Sequence, residues 1–142
     1  MKYFLLILPL LPALSQADSL YTGAWSYHAW KAEHVSNSEH NLIAYEYKGI
    51  VIGKFKNSYD DDTIVLAKQF ELYDNNNIRV AVNVGLTHGY RDCVHVEGPE
   101  EGKDGTTCFA MAPEISYTKY KIQPTFMILA NAMTIIFKWE IK

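Results

Sequence analysis

Large apolar side chains alternate with small or polar ones along most of the chain after its first twenty residues. In Ile78–Thr87, for example, every second residue is Ile, Val or Leu, whereas the residues between them include Arg79 and Asn83. The same period of two runs through Cys108–Thr118 and through the end of the chain, where only Ile136 interrupts it. Successive side chains of a β-strand point to opposite sides, so this period is typical of strands with two different faces. The pattern therefore predicts an all-β protein.

Eight such segments are separated by loops and turns of different lengths. The predicted strands are Leu20–Trp30, Asn41–Tyr47, Ile50–Tyr59, Thr63–Leu72, Ile78–Arg91, Cys108–Thr118, Tyr120–Ile128 and Ala132–Lys142. The long connections, such as Lys31–His40, fall at one end of the strands, and tight turns such as Lys48-Gly49 fall at the other. We therefore expect an eight-stranded antiparallel up-and-down β-barrel, since this distribution of loops and turns is typical of outer-membrane barrels.

The direction in which each face points distinguishes a membrane barrel from a soluble one. A soluble barrel buries its aromatic face, whereas a membrane barrel turns that face to lipid. The opposite face here is rich in small residues, which suit a crowded barrel interior better than a surface exposed to water. These residues are Ala24, Ser26, Ala44, Ala67, Ala81, Gly85, Ala110, Ala112 and Ser116. We therefore predict the membrane type, with the apolar face in contact with lipid.

The first seventeen residues have the features of a secretory signal peptide. Lys2 supplies a positive charge, and Tyr3–Leu14 is an apolar core too short to span a bilayer as a helix. Small residues in Ser15-Gln16-Ala17 precede a predicted cleavage site at Asp18. We therefore expect a signal peptide at residues 1–17, a single barrel domain at 18–142, and export to the outer membrane.

The two cysteines and the net charge bear on the compartment and the partners. Cys93 and Cys108 flank a polar loop, so a disulfide between them would join the ends of adjacent strands in an oxidising compartment. The formal net charge is −3, and no basic stripe is interleaved with aromatic residues. We therefore expect a disulfide at these cysteines and no nucleic-acid partner.

Several charged residues are predicted to lie on the inward face near the turns. They are Glu46, Glu71, Arg79, Lys121, Lys138 and Glu140. Opposite charges in that position would pair and plug the lower half of the barrel, because buried charges must be paired. The other half of the interior is smaller and less charged, which leaves room for a ligand that enters from the loop side. A barrel that is plugged throughout is the alternative.

Candidate catalytic residues lie where two strands meet the predicted long loops. His28 ends the first strand on the same face as Ala24 and Ser26, and Ser58 lies near the end of the third. A histidine near a serine is the minimum for general-base activation of a hydroxyl. The alternative is that these polar side chains only solvate the rim.

The other histidines do not form a metal-binding motif. They are His34, His40, His88 and His95. Their spacing is too scattered for a metal site, and most of them lie in or near loops, so we expect surface histidines and no metal.

Two short motifs resemble the PagP family of outer-membrane lipid A palmitoyltransferases. Tyr27-His28-Ala29 stands where the family has Trp-His-Ala, and Phe55-Lys56-Asn57-Ser58-Tyr59 stands where it has Phe-Lys-Asp-Ser-Trp. The resemblance implies an eight-stranded barrel that transfers a palmitoyl chain from a phospholipid to lipid A without a cofactor. It also implies that His28 and Ser58 are catalytic, with Asn57 in the place of a catalytic Asp.

The chain departs from the family at three positions. Asn57 can form hydrogen bonds but carries no charge with which to stabilise a histidine. One carboxylate of Asp60–Asp62 would be a substitute, although a solvated loop is the alternative for these residues. Gln69 stands where a small residue sets the depth of the family's acyl pocket, which implies a shallower or more polar pocket. The chain also ends in Ile141-Lys142, where such barrels favour an aromatic residue.

The sequence thus predicts a monomeric acyltransferase of the outer membrane that uses His28, Ser58 and Asn57, with phospholipid and lipid A as partners. Two alternatives remain. One is a non-catalytic outer-membrane barrel with a structural or lipid-binding role. The other is a secreted carrier similar to the lipocalins, because Gly23-Ala24-Trp25 matches the Gly-x-Trp of that family.

Overall fold

The computed structural model describes residues 18–28, 37–90, 106–129 and 132–141. These residues form eight antiparallel strands in chain order, and the last strand pairs with the first to close a barrel. The strands are β1 (Ser19–His28), β2 (Glu39–Tyr47), β3 (Ile50–Lys56), β4 (Asp62–Asn75), β5 (Ile78–Tyr90), β6 (Thr106–Tyr117), β7 (Ile122–Leu129) and β8 (Ala132–Glu140). The predicted eight-stranded up-and-down barrel is confirmed. The predicted signal peptide, residues 1–17, lies outside the described residues.

The strand limits differ from the predictions mainly at the ends of β3 and β4. β3 ends at Lys56 because the following residues form a turn, in which the Asp60 N–H donates to the Asn57 carbonyl at 3.0 Å. β4 extends to Asn75, which pairs with Ile78 across a tight turn. In the described part of the chain there is no helix long and apolar enough to cross a membrane.

Most of the large apolar side chains in the described strands lie on the outer surface of the barrel. Phe109, for example, is 68% exposed, and Leu66 in the middle of β4 is 53% exposed. The inner face carries most of the small side chains that the alternation predicts there. Ala24, Ala44, Ala67, Ala81, Ala112 and Ser116 are all buried. The apolar face thus points outward and the face with small residues points inward, as the alternation predicts.

A β-bulge in β1 shifts the alternation of that strand. Tyr21 is buried inside the barrel and Trp25 is exposed, although two residues four positions apart share a face in a regular strand. Gly23 and Ala24 both have φ of 86°, in the left-handed region. Gly23 pairs with Ile136 of β8 and Trp25 pairs with Ile135, so β1 has one extra residue, Ala24, between these two pairs. An extra residue in one strand of an antiparallel pair is a β-bulge.

The half of the barrel near the turns is filled by a buried polar cluster around Lys138. The Lys138 Nζ lies 2.8 Å from Glu46 Oε2 and 3.7 Å from Glu114 Oε1. Gln69 accepts a hydrogen bond from this ammonium at 3.1 Å and donates to the Tyr21 hydroxyl at 2.7 Å and to Glu114 at 2.8 Å. These five residues, called the polar plug below, satisfy the expectation of paired charges in the lower half.

Not every charged residue predicted near the turns belongs to this plug. The Lys121 side chain is exposed, because it lies in the turn before β7 rather than in the strand. Arg79 forms a separate cluster, with its Nε 3.5 Å from Glu71 and 3.1 Å from Asp74.

Candidate active site

The predicted histidine and serine meet at the loop end of the barrel. His28 is the last residue of β1, and Ser58 lies in the turn between β3 and β4. The Ser58 Oγ lies 3.0 Å from the His28 Nε2, within hydrogen-bond distance. The fold therefore brings together two residues that are thirty positions apart in the chain.

The bulge in β1 allows His28 to face the barrel interior and contact Ser58 while Tyr21, on the same strand, faces the interior in the polar plug. Tyr21 points inward in the polar plug, and His28 is an odd number of positions further along the strand. A regular strand would therefore place the two side chains on opposite faces. After the bulge, Ser26 and His28 share the inner face with the buried His40. Bulges commonly redirect side chains in this way beside functional sites.

A second histidine, His40, joins the site from β2. Its side chain is only 6% exposed, so the expectation of a surface histidine is wrong for this residue. The His40 Nδ1 lies 2.6 Å from the backbone carbonyl of Lys56, and its Nε2 lies 2.6 Å from the Ser26 Oγ. A carbonyl oxygen can only accept, so Nδ1 carries the hydrogen. In the neutral ring Nε2 then accepts the hydrogen bond of the Ser26 hydroxyl.

These contacts form one continuous series, which we call the hydroxyl–imidazole chain. The Ser26 Oγ also lies 3.4 Å from the His28 Nε2, and this contact links the two histidines. The series runs from Ser58 through His28, Ser26 and His40 to the Lys56 carbonyl. The sequence motifs indicate the first two members, whereas His40 stands at the edge of a predicted loop and no motif indicates a role for it.

Asn57 is fully buried and organises the turn that carries the serine. Its Oδ1 accepts hydrogen bonds from the backbone N–H groups of Tyr59 at 2.9 Å and Asp61 at 3.1 Å. Its Nδ2 donates to Thr63 Oγ1 and to the Gly89 carbonyl, both at 3.1 Å. Both ends of the amide are therefore used to hold β3, the turn and β5 together. A carboxylate at this position would have no N–H to offer the Gly89 carbonyl.

The three aspartates after this turn differ in their surroundings. Asp60 is exposed and has a positive φ of 66°, which suits a turn. The Asp62 carboxylate is largely exposed and lies 3.2 Å from the Lys56 ammonium. The Asp61 backbone N–H donates to Asn57. The solvated-loop alternative therefore describes Asp60 and Asp62.

The inner wall between the hydroxyl–imidazole chain and the polar plug is apolar. Leu42, Val65 and Met127 pack there against a cluster that includes the buried Ile136. Gln69 lies beneath this wall within the plug and is fully buried. The apolar part of the interior therefore ends at Gln69 of β4. This is the position at which, by the PagP resemblance, a residue sets the depth of the acyl pocket.

No protein-family model and no curated protein matches this chain. The PagP resemblance therefore rests on the two motifs and on the barrel. Among the described residues there is no group of three or more His, Cys, Asp or Glu side chains that could hold a metal ion. Cys93, His34 and His95 lie outside the described residues, whereas Cys108 is buried on the inner face of β6. The disulfide between Cys93 and Cys108 stays a prediction.

Proposed function

We propose that this protein is an outer-membrane acyltransferase that moves a fatty acyl chain from a phospholipid to lipid A. The observation that carries the proposal is the 3.0 Å contact between the Ser58 hydroxyl and the His28 Nε2 at the loop end of the barrel. The contact supplies a nucleophile beside a general base, which is what acyl transfer requires.

The outer surface supports the membrane location in this proposal. Residues such as Leu66 and Phe109 expose apolar side chains around the barrel, and hydrocarbon is a better solvent for them than water. A carrier similar to the lipocalins needs the opposite orientation, with its apolar face enclosed around a ligand. Export by a signal peptide at residues 1–17, a disulfide between Cys93 and Cys108, and a monomeric state belong to the same proposal.

The chemistry begins with attack by the Ser58 hydroxyl on the ester carbonyl of the phospholipid. His28 accepts the hydroxyl proton as the new acyl–oxygen bond forms, and returns it to the lysophospholipid oxygen as the old ester bond breaks. A hydroxyl of lipid A then attacks the acyl-serine and gives its proton to His28. Transfer of that proton to the Ser58 oxygen restores the enzyme. Asn57 serves as a positioning residue, because its amide holds the serine turn.

The barrel interior supports binding of an acyl chain below this pair. The wall formed by Leu42, Val65 and Met127 offers apolar contacts, and hydrocarbon gains free energy when it leaves water. The polar plug, with Gln69 at its upper boundary, sets a lower limit because an acyl chain cannot replace the hydrogen bonds of buried polar groups.

One observation favours a non-catalytic lipid-binding barrel as the second candidate. The amide of Asn57 replaces the family's Asp and is occupied by the turn and by Gly89. A barrel in which the amide at residue 57 cannot take over the role of that carboxylate would retain the fold and have no acyltransferase activity.

Mass spectrometry of lipid A separates the two candidates. The chain is expressed in Gram-negative cells that lack their own palmitoyltransferase, beside the variants His28→Ala and Ser58→Ala. Ser38→Ala is the matched control, because Ser38 is exposed at the same end of the barrel. We expect an added acyl mass with the original chain and the control, and none with the two site variants. No added mass from a folded barrel in the outer membrane would favour the non-catalytic candidate.

A further inference from the structure

Two hydroxyl groups approach the same nitrogen of His28. The Ser58 Oγ lies 3.0 Å from Nε2 and the Ser26 Oγ lies 3.4 Å from it. A neutral imidazole has one acceptor nitrogen, so two hydroxyl protons directed at that nitrogen would compete for one lone pair. General-base catalysis on Ser58 therefore requires that the proton of Ser26 points elsewhere.

His40 supplies the other direction for the Ser26 proton. The Ser26 Oγ lies 2.6 Å from the His40 Nε2, much closer than it lies to His28. The opposite nitrogen of His40 is fixed as a donor by the Lys56 carbonyl at 2.6 Å. The ring is nearly enclosed by protein, and burial disfavours a charged imidazolium. Its Nε2 is therefore the acceptor, and a hydroxyl has only one proton to donate.

We propose that His40 is a positioning residue that binds the Ser26 proton and so turns the Ser26 oxygen, rather than its O–H group, towards His28. The inference rests on the proposed acyl transfer, since it concerns the general base of that reaction. With its proton held by His40, Ser26 does not compete with Ser58 for the lone pair of the His28 Nε2.

The same arrangement acts again after His28 has taken a proton. Its Nε2 then carries a hydrogen, and the Ser26 oxygen at 3.4 Å presents a lone pair to that N–H group. The neutral Ser26 oxygen is thus a second acceptor beside the oxygen of Ser58 until the leaving group takes the proton.

A backbone carbonyl links the orientation of the His40 ring to the turn that carries Ser58. The carbonyl that orients His40 belongs to Lys56, which lies two residues before Ser58 and ends β3. Movement of the turn away from the barrel would therefore release the His40 ring and the nucleophile together.

A double-mutant cycle tests the inference through the rate of acyl transfer. His40→Ala frees the Ser26 hydroxyl to occupy the His28 Nε2, so we expect kcat to fall by about 10- to 100-fold with little change in KM. Ser26→Ala removes the competitor together with the assisting oxygen, and should lower kcat less. The double variant Ser26→Ala/His40→Ala should recover to the level of Ser26→Ala alone. His88→Ala, at an exposed histidine bonded to Thr107, is the control.

A purely structural role for His40 gives a different pattern in this cycle. The double variant would then be at least as slow as His40→Ala, and that result would overturn the inference. Ser26→Thr retains a hydroxyl and should keep most of the rate. Retention of the heat-dependent gel mobility of a closed barrel is required of every variant before rates are compared.

A second readout needs no substrate and distinguishes failure of this inference from failure of the proposed function. Nitrogen NMR of the imidazole rings in detergent micelles reports which ring nitrogen carries a hydrogen. We expect His40 to be protonated at Nδ1 only, and the His28 Nε2 signal to move in His40→Ala and to return in the double variant. A hydrogen on the His40 Nε2 would overturn the inference. Absence of acyl transfer with the expected spectra would contradict the proposed function alone.

Discussion

The Lys138 ammonium lies 2.8 Å from the Glu46 carboxylate, and both side chains are 1% exposed. Glu114, Gln69 and the Tyr21 ring also surround this ammonium, so the ion pair has further polar contacts as well as opposite charge. A buried ion pair stabilises the fold chiefly because each charge neutralises the other. Removal of both partners is therefore often far better tolerated than removal of one, which leaves an isolated buried charge.

Lys138→Met should therefore destabilise the barrel strongly. The substitution keeps much of the volume but leaves Glu46 and Glu114 without their cation, and we expect a loss of about 3–5 kcal/mol in the free energy of unfolding. Urea unfolding of the protein in micelles measures this change in the free energy of unfolding. Lys121→Met is the control, because Lys121 is exposed in a turn and its loss should change little. The added substitution Glu46→Gln should restore part of the stability, and a further loss would contradict this account of the pair.

Asn57→Asp should lower activity although it restores the residue of the family motif. The carboxylate would face the Gly89 carbonyl without an N–H to donate, and the turn should lose about 1–3 kcal/mol for the broken buried hydrogen bonds. Lipid A mass spectrometry and thermal unfolding measure the two effects. Asn76→Asp provides the comparison, since it makes the same change in an exposed turn that tolerates either residue. A higher transfer rate in Asn57→Asp would assign residue 57 a catalytic role.

Gln69→Ala should lengthen the acyl chain that the barrel accepts. The shorter side chain removes part of the upper boundary of the polar plug and leaves room below the apolar wall. The mass of the acyl group added to lipid A is the measurement. Gln123→Ala also removes a buried amide, but near the turn before β7, and should leave the acyl mass unchanged. Unchanged acyl masses in Gln69→Ala would show that the limit lies elsewhere.

A charge in the middle of the outer surface should impair assembly if that surface is in contact with lipid. Leu66→Arg places a cation on the outer side of β4, and near the bilayer centre it should cost about 2–4 kcal/mol. Glu39→Arg puts the same side chain at the loop end of β2, where the expected effect is small. Outer-membrane fractionation and unfolding in lipid vesicles measure both. Equal assembly of the two variants would contradict lipid contact at Leu66.

The alternation of side chains was sufficient to predict the strands and the orientation of their faces. Ile136 illustrates why, because this apolar residue occupies a position of the polar series of β8 and is fully buried inside the barrel. When the two faces of a strand lie in different environments, alternate residues differ in polarity and size, so the sequence of the strand alone shows both faces. The same alternation places Lys138 and Glu46 on the inward face, but it does not identify them as partners of each other, and it gives no indication that Glu114 of β6 lies beside them.

The candidate site was predicted only in part because its contacts depend on relations between strands. His28 and Ser58 were found through short motifs. His40 has partners on β1 and β3, and no local pattern indicates which residue of a neighbouring strand lies beside it. The bulge at Ala24 was also missed, since alanine rarely adopts a φ of 86° and gives no local signal for it.

The bulge also has a consequence for how the two halves of β1 can vary. It acts as a phase shift, so that Tyr21 below it and His28 above it both face the lumen although their numbers differ in parity. The inward-facing residues are therefore odd-numbered before the bulge and even-numbered from Ala24 onward. Deletion of Ala24 would remove the shift and one residue together and leave both side chains inward, whereas a deletion elsewhere in the strand would turn one half inside out. The number of residues between the polar plug and the candidate site can therefore change at Ala24, a residue that contributes no functional group to either.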